Sequence, residues 1–257
     1  LKFAETQSGD LSPAFDNIAV RRLTIPTDVV MVYGEPFKVI VDGMSPGYGE
    51  HDGYVAGESY ELSVPSGAHE ISDGTRATCV GWKLVKILAD GTREDWRSGS
   101  GNTVPDYRHP GCYVELTWTW TFEHRVTATA ATGGSVSPTE QWVEEGGMSE
   151  PITAKVEADF MSFYRWSGDS ESRENPLVIP SVTAPMSFTA LFGRSICVST
   201  NGSDEAAGTE QAPYRTPEKA IESAIEGSTV TIGEGTYKLT KELFVTNAVR
   251  VVGAGRD

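Results

Sequence analysis

The segment from Val114 to Phe122 alternates between apolar and polar side chains at every position. Its apolar members are Val114, Leu116, Trp118, Trp120 and Phe122, and only Glu and Thr stand between them. Successive side chains of a strand point to opposite faces, so this period of two predicts a strand with one dry face and one wet face. The three aromatic rings on the dry face would supply much of a small core.

Residues 25–123 carry further strand candidates, separated by turn signals such as Ser-Pro-Gly, Ser-Gly and Asp-Gly. The candidates are FKVIVDG, YVAGESYELSVP, RATCVGWKLVKIL and CYVELTWTWTF. No stretch here has a helical period, and Gly and Pro punctuate the segment throughout. These residues therefore predict a β-sandwich-like domain.

Residues 1–24 hold one strand-like phrase, FDNIAV, bounded by Pro13 and Pro26. A single strand cannot bury a core. The phrase resembles the last strand of a concanavalin-like or carbohydrate-binding jelly roll, which implies an upstream domain. The alternative is a strand that pairs with the next domain.

Residues 124–193 run in the order GGSVSP, an acidic-Gly turn, ITAKVEAD, FYRWSGD, NPLVI and FTALF. This order resembles the bacterial repeat domains related to the internalin B-repeat, which are small extracellular β modules. The resemblance implies that Trp166 is the buried aromatic residue and that Gly168-Asp169 form a turn. One departure stands out, because Phe160-Met161-Ser162 replaces the usual Gly before the aromatic strand.

Residues 194–257 contain the only clear helix signal, at 217–226. Thr216 is a favourable N-cap, Pro217 suits the first helical position and Gly227 closes the segment. An apolar stripe follows at helical spacing, formed by Ala220, Ile221, Ala224 and Ile225. Short β runs come next, STVTIGEGTY, ELFVTNA and VRVVGAG, with a spacing typical of solenoid coils.

The same segment resembles the start of secreted right-handed parallel β-helix proteins of the pectin-lyase-like group. The residues that carry the resemblance are VSTNGSD, GTEQAPYRTPEKAIESA, GSTVTIGEGTY and VRVVGAG. It implies a helix that caps the open end of the solenoid, followed by its first coils. Since about three repeats are needed for a stable solenoid, we expect further coils beyond Asp257. The chain also begins with Leu1, so we expect an internal segment of a longer protein.

The composition and the short motifs of the chain disfavour several classes of function. Lys and Arg number 21 against 36 Asp and Glu, a net charge of -15 that disfavours nucleic-acid binding. No run approaches the roughly 20 apolar residues of a transmembrane helix. Gly253-Ala254-Gly255 lacks the phosphate-loop pattern, so no nucleotide is expected. We expect no catalytic residues, no cofactor and no bound metal, with Ca²⁺ at Asp204 and Glu205 as the one alternative for an ion.

Cysteine and histidine give no metal or catalytic motif. Cys79 and Cys112 lie on two core-type strands, which leaves two interpretations: a disulfide, or two buried free thiols. Cys197 is expected to pack inside a β-helix strand. His51, His69, His109 and His124 stand alone in loops or at strand edges and are expected at the surface.

Two tryptophans are candidate glycan contacts. Trp96 and Trp142 could each offer a flat face to a sugar, although packing under a loop is the common role of such rings. The sequence thus predicts a mainly β, non-catalytic adaptor of a large extracellular bacterial protein, an adhesin-like stalk that presents a β-helix to polysaccharide or cell-surface glycan. The alternatives are an accessory region of a β-helix polysaccharide lyase or glycoside hydrolase, and a carbohydrate-binding module.

Overall fold

The computed structural model describes residues 30–34, 39–245 and 248–254. Within these residues the chain is mainly β, as predicted, with fifteen strands and one short helix. The strands are β1 (Val30–Gly34), β2 (Gly49–His51), β3 (Leu62–Ser63), β4 (Ala68–Ser72), β5 (Thr75–Ile87), β6 (Arg93–Ser100), β7 (Thr103–Val104), β8 (Tyr113–Ala130), β9 (Gly134–Ser137), β10 (Glu140–Glu144), β11 (Thr153–Val156), β12 (Met161–Gly168), β13 (Met186–Val198), β14 (Thr229–Ile232) and β15 (Arg250–Gly253). The helix, α1 (Pro217–Ser223), lies between β13 and β14. The strand expected within 1–24 falls outside the described residues.

The chain divides into two units. Unit 1 comprises the described parts of 1–66 together with 79–120, and unit 2 comprises 67–78 together with the described parts of 121–257. Strands β5 and β8 therefore contribute residues to both units.

The domain boundaries predicted after residues 123 and 193 both fall inside strands. Strand β8 runs from Tyr113 to Ala130 and β13 from Met186 to Val198 without interruption. The separate domains at 25–123, 124–193 and 194–257 stay predictions about independent folding.

The alternating face of β8 forms much of the core of unit 1. Val114, Leu116 and Trp118 are fully buried, and Trp120 is 6% exposed. Strand β1 runs parallel to β8, with Val30 opposite Val114, and β5 pairs antiparallel with β6. The predicted dry face is thus confirmed within this unit, whereas the sandwich arrangement stays a prediction.

Two strands predicted for residues 25–123 are largely absent. The described residues of FKVIVDG form no strand, and the amide of Val39 donates instead to the hydroxyl of Tyr48 at 3.0 Å. YVAGESYELSVP contributes only the short β3. The amide of Val55 donates to the hydroxyl of Tyr60 at 2.7 Å, so local side-chain acceptors replace the ladder there.

Unit 2 contains the second half of β8, which pairs antiparallel with β10 and parallel with β13. Strand β12 pairs antiparallel with β13, and β9 with β11. Trp166 is fully buried at the centre, as predicted, and its indole Nε1 donates to the carbonyl oxygen of Glu174 at 3.0 Å. Around it pack Val126, Ala128, Val143, Ile152, Ala154, Leu177, Ile179, Val182, Phe188, Ala190 and Phe192.

Phe160 has a positive φ of 62°, in the left-handed region. This residue begins the segment that replaces the glycine expected before the aromatic strand. Its side chain is 46% exposed, and its carbonyl oxygen accepts a hydrogen bond from the Ser195 amide at 2.7 Å. A turn that suits glycine is therefore kept at this position despite the loss of glycine.

The C-terminal part of unit 2 is a stack of parallel strands. Strand β14 pairs parallel with both β13 and β15, so that Thr229 lies opposite Ser195 and Arg250. Side chains from β13, from β14 and from α1 with its flanking residues form one buried cluster: Ile196, Val198, Tyr214, Ala220, Ala224 and Val230. The described residues of ELFVTNA, in contrast, form no strand.

Helix α1 begins where predicted and ends earlier. Thr216 is the N-cap, accepting a hydrogen bond from the Lys219 amide, and Pro217 is the first helical residue. The helix ends at Ser223 rather than at residue 226. Ile225, expected on the apolar stripe, lies beyond this end and is 41% exposed.

Candidate functional site

The two predicted glycan contacts, Trp142 and Trp96, are each half-buried beneath a cation. The guanidinium carbon of Arg76 lies 4.5 Å from the centroid of the Trp142 ring, and Lys86 Nζ lies 4.5 Å from that of Trp96. A cation over an aromatic face occupies the surface on which a sugar would stack. Glycan contact at these rings stays a prediction.

The structure has all three cysteines as free thiols. Cys79 is buried, and its Sγ donates to the carbonyl oxygen of Gly81 at 3.5 Å. Burial raises the pKa of the Cys79 thiol, and desolvation also raises that of Cys112. Cys112 is half-buried rather than buried, and both the disulfide between Cys79 and Cys112 and its alternative of two free thiols stay predictions.

Cys197 was expected inside the strand stack, and this expectation was wrong. Its neighbours Ile196 and Val198 are buried in the core, so the alternation of β13 turns Cys197 to the opposite, half-buried face.

Two histidines expected at the surface are buried. His109 is 2% exposed and His124 is 7% exposed. His124 shares the parity of Val126 and Ala128 on β8, so the strand carries it inward, where its Nδ1 lies 3.2 Å from Thr75 Oγ1.

The carboxylate predicted as an alternative calcium ligand, Asp204, is engaged by the protein itself. Its Oδ1 accepts the amides of Arg215 and Thr216 at 3.0 and 2.9 Å, and its Oδ2 accepts the Thr216 hydroxyl at 2.8 Å. Burial alone would raise its pKa, but the hydrogen bonds from Thr216 and Arg215 outweigh burial and lower it. Asp204 therefore ties the loop after β13 to the start of α1.

Among the described residues, no cluster of three or more His, Cys, Asp or Glu side chains is arranged to hold a metal ion. None of the helices in the described part of the chain is long and apolar enough to span a membrane.

Cationic and aromatic side chains lie close together where β12 meets the parallel stack. Two adjoining depressions of about 430 Å³ each share Tyr164, Arg173 and Ala248 in their walls. Arg165 lines one of them and Arg250 the other. We call this feature the Tyr164 groove.

Arg165 is held in place by two carboxylates. Its Nη1 lies 2.7 Å from Glu171 Oε1, and its Nη2 lies 2.7 Å from Glu226 Oε1. The hydrogen bond to Glu226 and the charge of Glu171 raise the pKa of Arg165. Its charge is therefore compensated within the protein.

Tyr164 lines both depressions. The guanidinium carbons of Arg165 and Arg173 lie 5.6 and 5.8 Å from the centroid of its ring. On another side the ring packs on Gly227, where an added Cβ would come within 2.3 Å of Tyr164 Cγ. Gly227 has a φ of 79°, so the turn and the close approach both require glycine.

The sequence did not point to the Tyr164 groove. Tyr164 and Arg165 stand in the FYRWSGD phrase, from which only Trp166 and the turn were singled out. Arg250 lies at the start of β15, and nothing local relates it to Arg173. The sequence did hold one signal for this groove: Arg165, Arg173 and Arg250 are positive charges in a chain in which acidic residues outnumber basic ones 36 to 21.

Comparison with known proteins places similarity in the C-terminal part of the chain. Residues 200–255 match the family model described as Protein of unknown function (DUF1565), a family linked to pectate lyase-like β-helix proteins. No solved structure matches the chain. The resemblance of residues 124–193 to internalin-type repeats is not carried by this match and stays a prediction.

Two curated proteins are similar over short segments. The chain is 39% identical over 61 residues to pectate lyase PEL9 of Emericella nidulans, which covers 24% of this chain and 15% of that protein. It is 47% identical over 51 residues to the uncharacterized protein YwoF of Bacillus subtilis, covering 20% of this chain and 11% of that protein. The chain thus spans a small fraction of either relative, one of which is named a pectate lyase.

Proposed function

We propose that the chain is a non-catalytic adaptor of a larger extracellular protein, in which it presents the first coils of a right-handed parallel β-helix to polysaccharide. An adhesin-like stalk is the form of this function that the arrangement of small β modules favours. Secretion or exposure at the cell surface belongs to the same proposal.

The observation that carries the proposal is the parallel stack of β13, β14 and β15 with α1 packed against its apolar cluster. A solenoid buries its core by stacking coils, so its first coil has an open end that must be covered. Helix α1 supplies Ala220, and its C-cap residue Ala224, to the same cluster as Ile196 and Val230, as a cap would. Of this stack, β14 and the described part of β15 lie within residues 200–255, which match the family model.

The state of the carboxyl groups supports a non-catalytic role. In the described residues the aspartates and glutamates whose pKa is shifted are Asp90, Glu123, Asp204 and Glu218, and all four shifts are downward. Each of these groups accepts hydrogen bonds from the protein, which stabilise the charged form. A general acid for glycosidic cleavage needs a raised pKa instead.

Glu218 illustrates this structural use. Its Oε1 accepts the amide of Thr240 at 2.7 Å and the Thr240 hydroxyl at 3.2 Å. The backbone hydrogen bond from Thr240 is the main reason that the pKa of Glu218 is lowered. Glu218 therefore links α1 to the segment after β14.

An accessory region of a polysaccharide lyase is the second candidate, favoured by the match to pectate lyase PEL9. In that case the catalytic groups would stand on later coils of the β-helix. Both candidates include the β-helix. In the adaptor the rest of the protein has no lyase activity, whereas in the second candidate it cleaves polysaccharide.

An activity assay tests the adaptor proposal. The purified chain is incubated with polygalacturonate and with alginate, alongside a pectate lyase as positive control, and unsaturated ends and reducing sugars are measured. We expect no product above that of buffer. Turnover that persists through further purification and disappears with a change at one carboxylate, in a variant that circular dichroism shows to be folded, would overturn the non-catalytic role.

A further inference from the structure

We propose that residues 124–193 are the template on which the parallel stack of β13, β14 and β15 folds. We call these residues the template segment. The inference rests on the proposed adaptor function, and it gives the template segment a role beyond that of a spacer before the β-helix. The stack should require the folded template segment, whereas the template segment should stay folded when the stack opens.

The first step is that β13 belongs to both parts. From Met186 to Arg194 this strand pairs with β8, with β12 or with both, and from Ser195 to Val198 it pairs with β14. Both β8 and β14 run parallel to β13, so the parallel order of the stack already begins at β8. Because the unpaired N–H and C=O groups of a strand edge direct the pairing of the next strand, the end of β13 offers β14 a direction and a register.

The second step is that one face of β13 continues from one core to the other. The alternation that buries Phe192 in the core around Trp166 also buries Ile196 in the stack. Arg194 stands between them at the same parity. Its guanidinium donates to the carbonyl oxygen of Ser223 at the end of α1 at 3.2 Å, and to that of Ala207 in the loop after β13 at 3.4 Å. Arg194 thus connects the helix and the loop to β13.

The third step is the close contact between the turn before β14 and the template segment. A Cβ added to Gly193 would collide with the carbonyl oxygen of Gly227, and a Cβ added to Gly227 would collide with the Tyr164 ring of β12. The Arg194 amide donates to Ser228 Oγ at 3.1 Å, and Ser228 is fully buried. Contacts this close leave little freedom in where β14 starts.

The fourth step is that β12 holds both ends of this turn region. The Ser195 amide donates to the carbonyl oxygen of Phe160, just before β12, at 2.7 Å. Arg165 of β12 lies 2.7 Å from Glu226, which follows α1, and the arginine side chain is mostly buried. The template segment therefore contacts the first strand of the stack and the segment that leads to its second strand.

The fifth step is that the two cores differ in what they contain. Among the described residues, the core around Trp166 has twelve buried members, and all of them belong to the template segment. The buried cluster of the stack has six, of which Ile196 and Val198 come from β13. A solenoid needs about three stacked repeats to bury its core. We therefore expect the stack to depend on the template segment, and not the reverse.

Hydrogen exchange of the whole chain, followed by mass spectrometry, tests this dependence. Amides of β10 report on the template segment and amides of β14 report on the stack. If the stack opens while the template segment stays folded, the β14 amides exchange from that state, whereas the β10 amides exchange only after both parts have opened. In the wild type the amides of β14 should therefore exchange faster than those of β10.

Val182 and Val230 form a matched pair of variants, since both are fully buried, one in the core around Trp166 and the other in β14. Val230→Ala should speed exchange about tenfold in both β14 and β10, because opening of both parts includes opening of the stack. Val182→Ala should speed exchange about tenfold in β10 and leave β14 unchanged, because the stack opens before that core is lost.

A stronger pair of changes at the same positions gives a second measurement. Val182→Asp and Val230→Asp each place an unpaired carboxylate in a core. Val230→Asp should remove protection from β14 and keep it in β10, whereas Val182→Asp should remove it from both strands. Size-exclusion chromatography shows whether each sample stays monomeric, so that loss of protection is not confused with aggregation.

A change at the junction tests the contacts themselves. Arg194→Gln should speed exchange in β14 severalfold, because the hydrogen bonds from its guanidinium to α1 and to the loop are lost. Lys155→Gln removes the same charge from an exposed position on β11 and should leave β14 unchanged. Equal effects of the two variants would contradict the role of the junction.

Three patterns in the alanine pair would overturn the inference. If each variant speeds exchange only in its own part, the two parts fold independently. If each variant speeds exchange in both parts, they unfold as one unit. An effect of Val182→Ala on β14 without an effect of Val230→Ala on β10 would reverse the dependence. None of these patterns changes the expected result of the activity assay, so failure of the template role leaves the adaptor proposal standing, whereas turnover contradicts the adaptor proposal.

Discussion

The carboxylate of Asp204 and the hydroxyl of Thr216 are joined by a hydrogen bond of 2.8 Å, and Thr216 is also the N-cap of α1. The same carboxylate accepts the backbone amides of Thr216 and Arg215. Because these contacts join the loop after β13 to the capping helix, the charge of Asp204 contributes to the stability of the parallel stack.

Replacing Asp204 should therefore weaken the fold. Asp204→Asn keeps the shape but loses an acceptor and the charge, so we expect a loss of about 1–2 kcal/mol in the free energy of unfolding, measured with urea. Glu205→Gln changes the exposed neighbouring carboxyl and should alter stability by less than about 0.5 kcal/mol. A larger effect at Glu205, or a rise in Tm on adding calcium to wild type but not to Asp204→Asn, would instead support an ion site.

The pH dependence of this stabilisation follows from the lowered pKa of Asp204. The unfolded chain takes up the proton first, near the ordinary pKa of about 3.9, so the contribution is fully present above that pH. It is lost as the pH falls through the lower pKa of the folded state. The difference in stability between wild type and Asp204→Asn should be constant from about pH 7 to about pH 5 and shrink towards about pH 2. A difference that grows on acidification would contradict the assignment.

Phe160 should be a site where a substitution stabilises the protein. Glycine adopts the φ of 62° without the steric cost that Phe160 pays, and the ring is largely outside the core. After allowing for the greater flexibility of glycine in the unfolded chain, we expect Phe160→Gly to gain about 0.5–1 kcal/mol in urea unfolding. Phe160→Ala removes the ring but keeps Cβ, and it should give no gain. Stabilisation by alanine equal to that by glycine would show that the ring, not the backbone, is responsible.

Gly227 and Gly146 form a matched pair for testing the Tyr164 groove. Their φ angles are 79° and 77°, but an added Cβ meets Tyr164 at Gly227 and open space at Gly146. Gly146→Ala should cost about 1 kcal/mol from the backbone alone. Gly227→Ala should cost about 1–3 kcal/mol more, because the ring must move. Equal losses in the two variants would mean that Tyr164 does not pack as described.

Thiol reactivity should distinguish the two interpretations of the cysteines. Because burial and desolvation raise the pKa of Cys79 and Cys112, their thiolate fractions at about pH 8 are small, and a disulfide reagent should react slowly with the native chain. In denaturant without reductant, all three thiols should titrate, since the structure has three free cysteines. A single titratable thiol under those conditions would establish a disulfide.

Features set by neighbouring residues could be predicted from the sequence. The alternation of 114–122 identified a strand and its buried face because strand geometry relates adjacent positions directly. The start of α1 was recognised from Thr216 and Pro217, which act within one helical turn. The resemblance of residues 124–193 implied that Trp166 is a buried aromatic residue, and the structure confirms its burial.

Features that depend on which strands pair were decided by the tertiary structure. The prediction placed His124 at a strand edge, whereas one continuous β8 carries it to the buried face. Asp204 lies close to Thr216 only because the loop after β13 folds back on the start of α1. Patterns among neighbouring residues do not show where a distant segment of the chain folds back against them.

The Tyr164 groove is the clearest case. Tyr164 lies on β12, Arg173 follows that strand, and Arg250 begins β15. The parallel register that sets Thr229 opposite Arg250 brings these distant positions to one depression. The sequence alone determined a mainly β chain, its principal buried strand and the start of its helix, because those depend on short-range periodicity and capping. Only long-range strand pairing, with the burial of apolar area that accompanies it, decided which charges meet at the surface.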